Sequence, residues 1–183
     1  EGRVVMEGEP ESAIQCYNDL MRQRTEKRAA QLSGGAINPA LVVDHGSRMG
    51  TQEAEICAVN LYDTHGGNIN TLDGGGSLTI ELEYNLAKPV LDMALVLGIY
   101  SETNVKCFET YVPSANTTFG PLNKRGSFSC QLSALPLLPG RYYINVSLYS
   151  PDWNYMYDHH WEMHPLYING TSSGVSGVIS LQP

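Results

Sequence analysis

Aromatic and amide side chains are concentrated between residues 143 and 157. Alternate positions hold Tyr143, Asn145, Ser147 and Tyr149, and the segment beyond them holds Trp153, Tyr155 and Tyr157. The alternation predicts one face of a β-strand, and Pro151-Asp152 predicts that a loop follows. Aromatic rings stack on the C–H faces of sugars, while amides and hydroxyls form hydrogen bonds with sugar hydroxyls. The stretch is therefore a candidate carbohydrate-binding surface; the alternative is that the loop folds over the end of the core and caps it.

A second candidate group lies earlier in the chain, at Tyr100, Glu109 and Tyr111. These residues also combine rings with a hydrogen-bonding carboxylate. We expect Tyr100 and Glu109 to join the same surface if their strand lies beside the strand of Tyr143.

Histidines cluster in the run Asp158-His159-His160 and again at His164. Imidazole and carboxylate groups are zinc ligands, but a zincin helix needs Glu directly after the first His of its pair. Trp161 occupies that position, and Pro165 would end such a helix at once. We therefore predict no metal site, and histidines that face solvent or contact sugar.

Signatures of catalysis and nucleotide binding are missing from the sequence. It has no G-x-x-x-x-G-K-S/T phosphate loop and no G-x-S-x-G nucleophile motif. We therefore predict no cofactor and no catalytic residue. A glycosidase needs only two carboxylates at a suitable separation, which sequence spacing does not reveal, so a glycan-modifying enzyme stays an alternative.

The charge of the chain argues against nucleic acid as a partner. Its 183 residues carry 11 Lys and Arg against 19 Asp and Glu, a formal net charge of −8. This field repels phosphate backbones and anionic lipid surfaces and favours a neutral ligand. The four cysteines are scattered, with no C-x-x-C pair, and no apolar run approaches the roughly 20 residues that cross a bilayer. The cysteines favour a reduced, cytosolic protein, and the lack of such a run favours a protein that is soluble or tethered to a membrane through something else.

The elements that must position these residues follow from periodicity. Pro10 predicts the first turn of a helix with one apolar stripe, and Ser33-Gly34-Gly35 predicts its end. From about residue 52 the apolar period is two, as in the runs 78–84, 93–99, 128–132 and 142–149. About seven or eight strands are expected, the last two near Leu166–Ile168 and Val178–Leu181. We predict an all-β, Ig-like or jelly-roll sandwich preceded by an N-terminal α-helix.

Several motifs resemble a known family. The run from Gly2 to Tyr17 resembles the end of an ABC-transporter nucleotide-binding domain, G-x-(I/V)-x-x-x-G-x-P-x-x-(V/I)-x-x-Y. The run from Gly46 to Ile56 resembles the R-x-G-T/S-G-E-A-x-I start of the C-terminal domain in Wzt-type polysaccharide exporters, and Val59–Asp63 continues it. Asp73-Gly74 and the L-x-L-L-P-G-x-Y run that ends at Tyr142 follow in the order of that family.

The resemblance implies the carbohydrate-binding domain of an ABC-transporter ATPase subunit, which recognises O-antigen of lipopolysaccharide, or a similar glycan, before export. It implies a tail of the ATP-binding domain at 1–8, a helix and linker at 9–50, and the sandwich at 51–183. It also implies a homodimer that exchanges the C-terminal strand Gly177–Gln182, and a location at the cytoplasmic side of the inner membrane, beside a membrane transporter subunit. Two departures are Ser101–Asn104 in place of the usual D-G turn, and Leu166 where an aromatic residue is common. A dimerisation or regulatory module without sugar binding is the further alternative.

Overall fold

A computed structural model describes residues 3–32, 47–87, 90, 92–112, 122–170 and 177–179. It contains one helix, α1 (Pro10–Leu32), and nine strands within these ranges. The strands are β1 (Arg48–Met49), β2 (Ala54–Tyr62), β3 (Thr71–Asp73), β4 (Leu78–Leu86), β5 (Ala94–Ser101), β6 (Lys106–Val112), β7 (Arg125–Leu132), β8 (Gly140–Tyr149) and β9 (Met156–Asn169). The all-β sandwich with a preceding helix is therefore confirmed. None of the helical structure in the described ranges is long and apolar enough to cross a membrane.

The strands form two sheets. The larger has six strands in the order β1-β9-β8-β5-β6, with β3 added in parallel to β9, and the smaller has the order β2-β4-β7. β5 pairs with both β8 and β6 and is therefore an interior strand. This order places the strands of Tyr100 and Glu109 in the same sheet as Tyr143.

The core lies between the two sheets. Leu78, Ile80, Leu82 and Tyr84 of β4 face Tyr142, Ile144, Val146 and Leu148 of β8, and all are buried. Alternation in the sequence predicted both rows. Because one face of β8 is committed to this core, the opposite row at 143, 145, 147 and 149 lies on the outer face of the large sheet.

Helix α1 lies over that outer face, although only a small part of it is buried. The predicted apolar stripe consists of Ile14, Tyr17, Leu20 and Met21. Met21 is buried, whereas Ile14 and Tyr17 are 61% and 57% exposed. Thr25 is buried and accepts a hydrogen bond from the backbone N–H of Met156. The helix therefore docks through one short contact near its middle.

Four predicted segments differ from expectation or extend beyond the described residues. Strand β9 begins at Met156, so the predicted loop ends before Tyr157 and the histidine run is in a strand. Residues 1–2 of the predicted ATPase tail and 33–46 of the predicted linker lie outside the described residues. The predicted C-terminal strand is described only to Ile179, which forms a single bridge with Leu137 of the same chain. Its exchange with a second copy stays a prediction.

The chain enters the sandwich through a close backbone contact at Gly50. A Cβ atom at this position would lie 2.2 Å from the carbonyl oxygen of Tyr157, a distance that real contacts do not reach. Thr51 and Gln52 donate backbone hydrogen bonds to Met156 and Tyr157 across the same contact. The missing side chain thus lets the chain approach the start of β9.

We expect Gly50→Ala to destabilise the fold by about 1–3 kcal/mol, because the added methyl group must push two backbones apart. Urea unfolding measures the change. Gly74→Ala is the matched control, since its Cβ would lie 3.4 Å from the Leu137 carbonyl oxygen, an ordinary contact. Equal stability of the two variants would contradict the assignment.

Candidate functional site

A groove of about 510 Å³ runs between helix α1 and the outer face of the large sheet. The sheet forms its floor and the helix forms one wall. Its floor includes Val96, Gly98, Tyr100, Glu109, Asn145, Ser147, Tyr149, His159 and Trp161, and its helical wall includes Tyr17, Asn18, Met21, Arg22 and Glu26. Since β8 rises about 3.3 Å per residue, the floor extends roughly 13 Å from the level of Asn145 to that of Tyr149.

Asn145 occupies the middle of the floor. Its side chain is only 4% exposed, and its Oδ1 accepts a 2.8 Å hydrogen bond from the backbone N–H of Glu162. The amide is thereby oriented, because Oδ1 is committed to that donor. Its Nδ2 has no hydrogen-bond partner within the described part of the chain. A buried donor without a partner costs about 1–3 kcal/mol, so Nδ2 is a ready donor for a bound acceptor.

A bulge in β9 makes this orientation possible. Opposite Asn145 the register of β8 and β9 shifts, with Ile144 paired to His164 and Val146 paired to His160. Glu162 in the bulge has a left-handed φ of 55°, which is uncommon for a residue with a side chain. The bulge turns the N–H of Glu162 toward Asn145 and leaves Trp161 over the groove.

One aromatic cluster, the Trp161 cluster, lies at the Tyr143 end of the groove. It comprises Tyr100, His159 and Trp161, with ring centroids 5.1 Å apart for Tyr100 and Trp161 and 5.9 Å apart for His159 and Trp161. The ring of Tyr100 lies over Gly98, where a Cβ would be 2.6 Å from a ring carbon. The lack of a side chain at Gly98 therefore lets this ring lie along the sheet surface. Burial, and then the Glu109 carboxylate, raise the pKa of Tyr100 to about 12, so its hydroxyl keeps its proton.

A second aromatic cluster, the Trp153 cluster, lies at the other end and comprises Tyr111, Tyr149 and Trp153. The Trp153 ring is 5.2 Å from Tyr149 and 6.2 Å from Tyr111, and Trp153 is 39% exposed. Its φ of 58° is a strained backbone conformation for a bulky residue. The Ser150 hydroxyl holds the turn, because its Oγ accepts the backbone N–H groups of Asn154 and Tyr155.

Ser147 forms a hydrogen bond with His159 of the Trp161 cluster, with 2.7 Å between Oγ and Nδ1. Burial, and then the neighbouring His160, lower the pKa of His159 to about 4. The ring is therefore neutral near pH 7, and because Nδ1 is bonded to Ser147, Nε2 can donate or accept according to the tautomer. Such a group matches a sugar hydroxyl, which also does both.

The predicted binding residues divide into two sets. Tyr100, Glu109, Asn145 and Tyr149 line the groove. Trp153 continues it through its contact with Tyr149, and Tyr143 continues the outer row with Arg141 stacked 4.9 Å from its ring centroid. Tyr155 and Tyr157 lie elsewhere: Tyr157 is 5% exposed and belongs to the core, with Tyr155 packed against it. Their placement fits the alternative in which the segment caps the core.

Sequence reasoning did not select Trp161 or the helix residues. Trp161 lies in the histidine run, which suggested a metal site rather than a binding surface. The bulge that exposes Trp161 to the groove also interrupts the alternation by which a strand face is recognised in a sequence. In the structure His160 and His164 instead contact each other, with 3.0 Å between Nδ1 and Nε2. No group of three or more His, Cys, Asp or Glu that could hold a metal occurs within the described ranges.

The charged residues at the groove nearly balance. Arg22 and Arg48 oppose Glu26 and Glu109 in sign. Arg48 is committed to Asp158 at 2.7 Å, and Glu109 accepts hydrogen bonds from Tyr100 and Lys106 at 3.1 and 2.9 Å. The groove therefore presents little net charge to a ligand.

We expect the fold to lose stability as the pH falls from about 6.5 toward 4. Burial, and then His160, lower the pKa of His164 to about 4, as they do for His159. The unfolded chain takes up protons on these rings near pH 6.5, whereas the folded chain does so only near pH 4, so protonation favours unfolding in this window. Urea midpoints at a series of pH values measure the effect. The pH dependence should weaken in His164→Gln and persist in the control His65→Gln, whose side chain is exposed; an unchanged midpoint down to pH 4.5 would contradict the burial argument.

Comparison with known proteins places this geometry in a family. The family model of the Wzt C-terminal domain matches residues 45–181. A solved structure, the crystal structure of the C-terminal domain of Wzt, superposes with a TM-score of 0.65 at 14% sequence identity, covering 74% of this chain and 84% of that one. The comparison with curated proteins finds no match. Because the identity is low, the superposition supports the fold alone. The family match covers most of the chain, and the chain therefore belongs to the Wzt C-terminal domain family.

Proposed function

We propose that the groove binds a neutral polysaccharide and that the chain is the non-catalytic recognition domain of an ABC exporter. The observation that carries this proposal is the buried Nδ2 of Asn145, unpaired among the described residues on a floor with aromatic rings at both ends. An aromatic groove alone would suit many apolar ligands. A fixed amide donor between rings requires a ligand with apolar faces and oxygen acceptors, and sugars have both.

The electrostatics support a neutral glycan. The net charge of −8 opposes binding of polyanions, and the groove itself nearly balances positive and negative side chains. The Ser147–His159 pair adds hydroxyl-matching groups on the same floor. Affinity then depends on shape, stacking and hydrogen bonds rather than on ionic attraction.

Family membership supports the cellular context. A Wzt C-terminal domain suggests an ABC-transporter ATPase subunit. We propose that residues 1–8 end the ATP-binding domain, that the glycan is an O-antigen or similar surface polysaccharide, and that the subunit works in the cytoplasm, at the inner membrane beside its transporter partner. We further propose a homodimer through exchange of the C-terminal strand, whose described residues 177–179 lie beside Leu137 and Leu138.

A variant of Asn145 tests whether its buried Nδ2 donates a hydrogen bond to the polysaccharide. Asn145→Asp keeps an oxygen for the N–H of Glu162 and replaces the Nδ2 donor by an acceptor. We expect at least about a tenfold loss of affinity, since one hydrogen bond and an unsatisfied buried group together change binding by roughly 1–3 kcal/mol. Isothermal titration with polysaccharide released by mild acid from the source organism's surface glycolipid measures it, with thermal unfolding as a check of the fold. Unchanged affinity would remove Asn145 from the site.

The aromatic rings give an independent test. Tyr149→Ala and Trp161→Ala should each weaken binding of the same polysaccharide by about threefold to tenfold, because each removes a stacking surface. Tyr167→Ala is the matched control, since this tyrosine is 39% exposed and does not line the groove. The unsubstituted chain separates the alternative functions. If it does not bind the polysaccharide in titration, a dimerisation or regulatory module is favoured. If the glycan is shortened or altered after incubation with the chain, the chain is an enzyme.

A further inference from the structure

The attachment of helix α1 is restricted to a short part of its length. Thr25 contacts Met156, and Arg24 reaches Asn154. Arg28 forms a two-pronged pair with Glu53, at 2.9 and 3.2 Å. These polar contacts lie in the second half of the helix, at positions 24–28, and the buried Met21 adds an apolar contact one turn before them.

The preceding turns of the helix extend over the groove without comparable anchoring. Tyr17, Asn18 and Arg22 line the groove and are exposed. Arg22 has no salt-bridge partner within the described ranges, and Tyr17 is 57% exposed. The side chains of this part of the wall therefore do little for the stability of the fold and are free for a ligand.

Tyr17 stands opposite Tyr149 of the Trp153 cluster. Burial, and then the neighbouring Tyr17, raise the pKa of Tyr149. Both residues line the same groove, one from the helix and one from the sheet. A sugar ring between them would contact aromatic surface on two sides.

We infer that helix α1 is part of the binding site, with Tyr17 and Arg22 as ligand-contacting residues, so that a bound glycan ties the first half of the helix to the sheet. This inference rests on the proposed function. It adds the helix as a wall of the binding site and an effect of the bound glycan on the helix. Tyr17 contributes stacking, and Arg22 contributes several N–H donors for sugar oxygens. The glycan adds contacts to a segment that is otherwise held at one place, so binding should reduce local opening of the helix.

The test uses the full chain and the surface polysaccharide of the source organism, released by mild acid. We expect Tyr17→Ala and Arg22→Ala each to lower the affinity by about threefold to tenfold in isothermal titration. Ile14→Ala is the matched control, because Ile14 is 61% exposed on the same helix and does not line the groove. Hydrogen–deuterium exchange of the amides at 14–22, with and without the polysaccharide, should show slower exchange in the bound state.

The outcomes separate the inference from the function on which it rests. Wild-type affinity in Tyr17→Ala and Arg22→Ala, combined with weakened binding in Asn145→Asp, would overturn the role of the helix and leave glycan recognition by the sheet intact. If hydrogen–deuterium exchange of the amides at 14–22 is unchanged when the chain is saturated with polysaccharide, the inference that the glycan holds the helix against the sheet is overturned. No binding of the polysaccharide by the unsubstituted chain would overturn both proposals.

Discussion

The buried carboxylate of Asp158 is the interaction on which the edge of the groove depends. It is fully buried in β9, yet it accepts hydrogen bonds from Arg48 of β1 and from the backbone N–H of Ile56 in the opposite sheet, at 2.7 and 2.8 Å. Burial by itself raises the pKa of a carboxyl group; here the His160 ring and the Arg48 guanidinium outweigh burial and keep the pKa of Asp158 below its usual value. A charge in this position is tolerated only because every partner is in place. The start of β9, and with it His159 in the groove, is therefore fixed against both sheets.

The groove residues next to this fixed point are held in costly conformations. Trp153 and Glu162 both have left-handed backbone angles, at 58° and 55°, one in the turn before β9 and one in its bulge. Such conformations cost about 1–3 kcal/mol each and persist only where the surroundings enforce them. Ser150 enforces the first through its Oγ, and Asn145 stabilises the second through its Oδ1. Both strained residues border the groove, where the strain places Trp153 against Tyr149 and leaves Trp161 over the floor.

Much of the fold could be predicted from the sequence, because alternation in β4 and β8 reports directly which face is buried. The helix start at Pro10 also followed from local chemistry. The site could be predicted only in part. The outer row with Asn145 and Tyr149 depends on strict alternation, which β8 keeps. The sheet face on which Trp161 and Tyr157 lie depends on the alternation of side chains along β9. A bulge shifts this alternation without changing the composition of the sequence.

The position of the helix was beyond sequence reasoning for a related reason. Its apolar stripe is short, and the sheet face beneath it carries Asn145, Ser147 and His159 rather than a continuous apolar surface. Two such surfaces cannot exclude water along their whole length, so they meet where Met21 and Thr25 are buried and stay apart elsewhere. The mixed polarity that prevents tight docking is the same property that suits a sugar, whose faces are apolar and whose edges are polar. Weak packing of the helix and the proposed recognition of a glycan are thus two consequences of one surface.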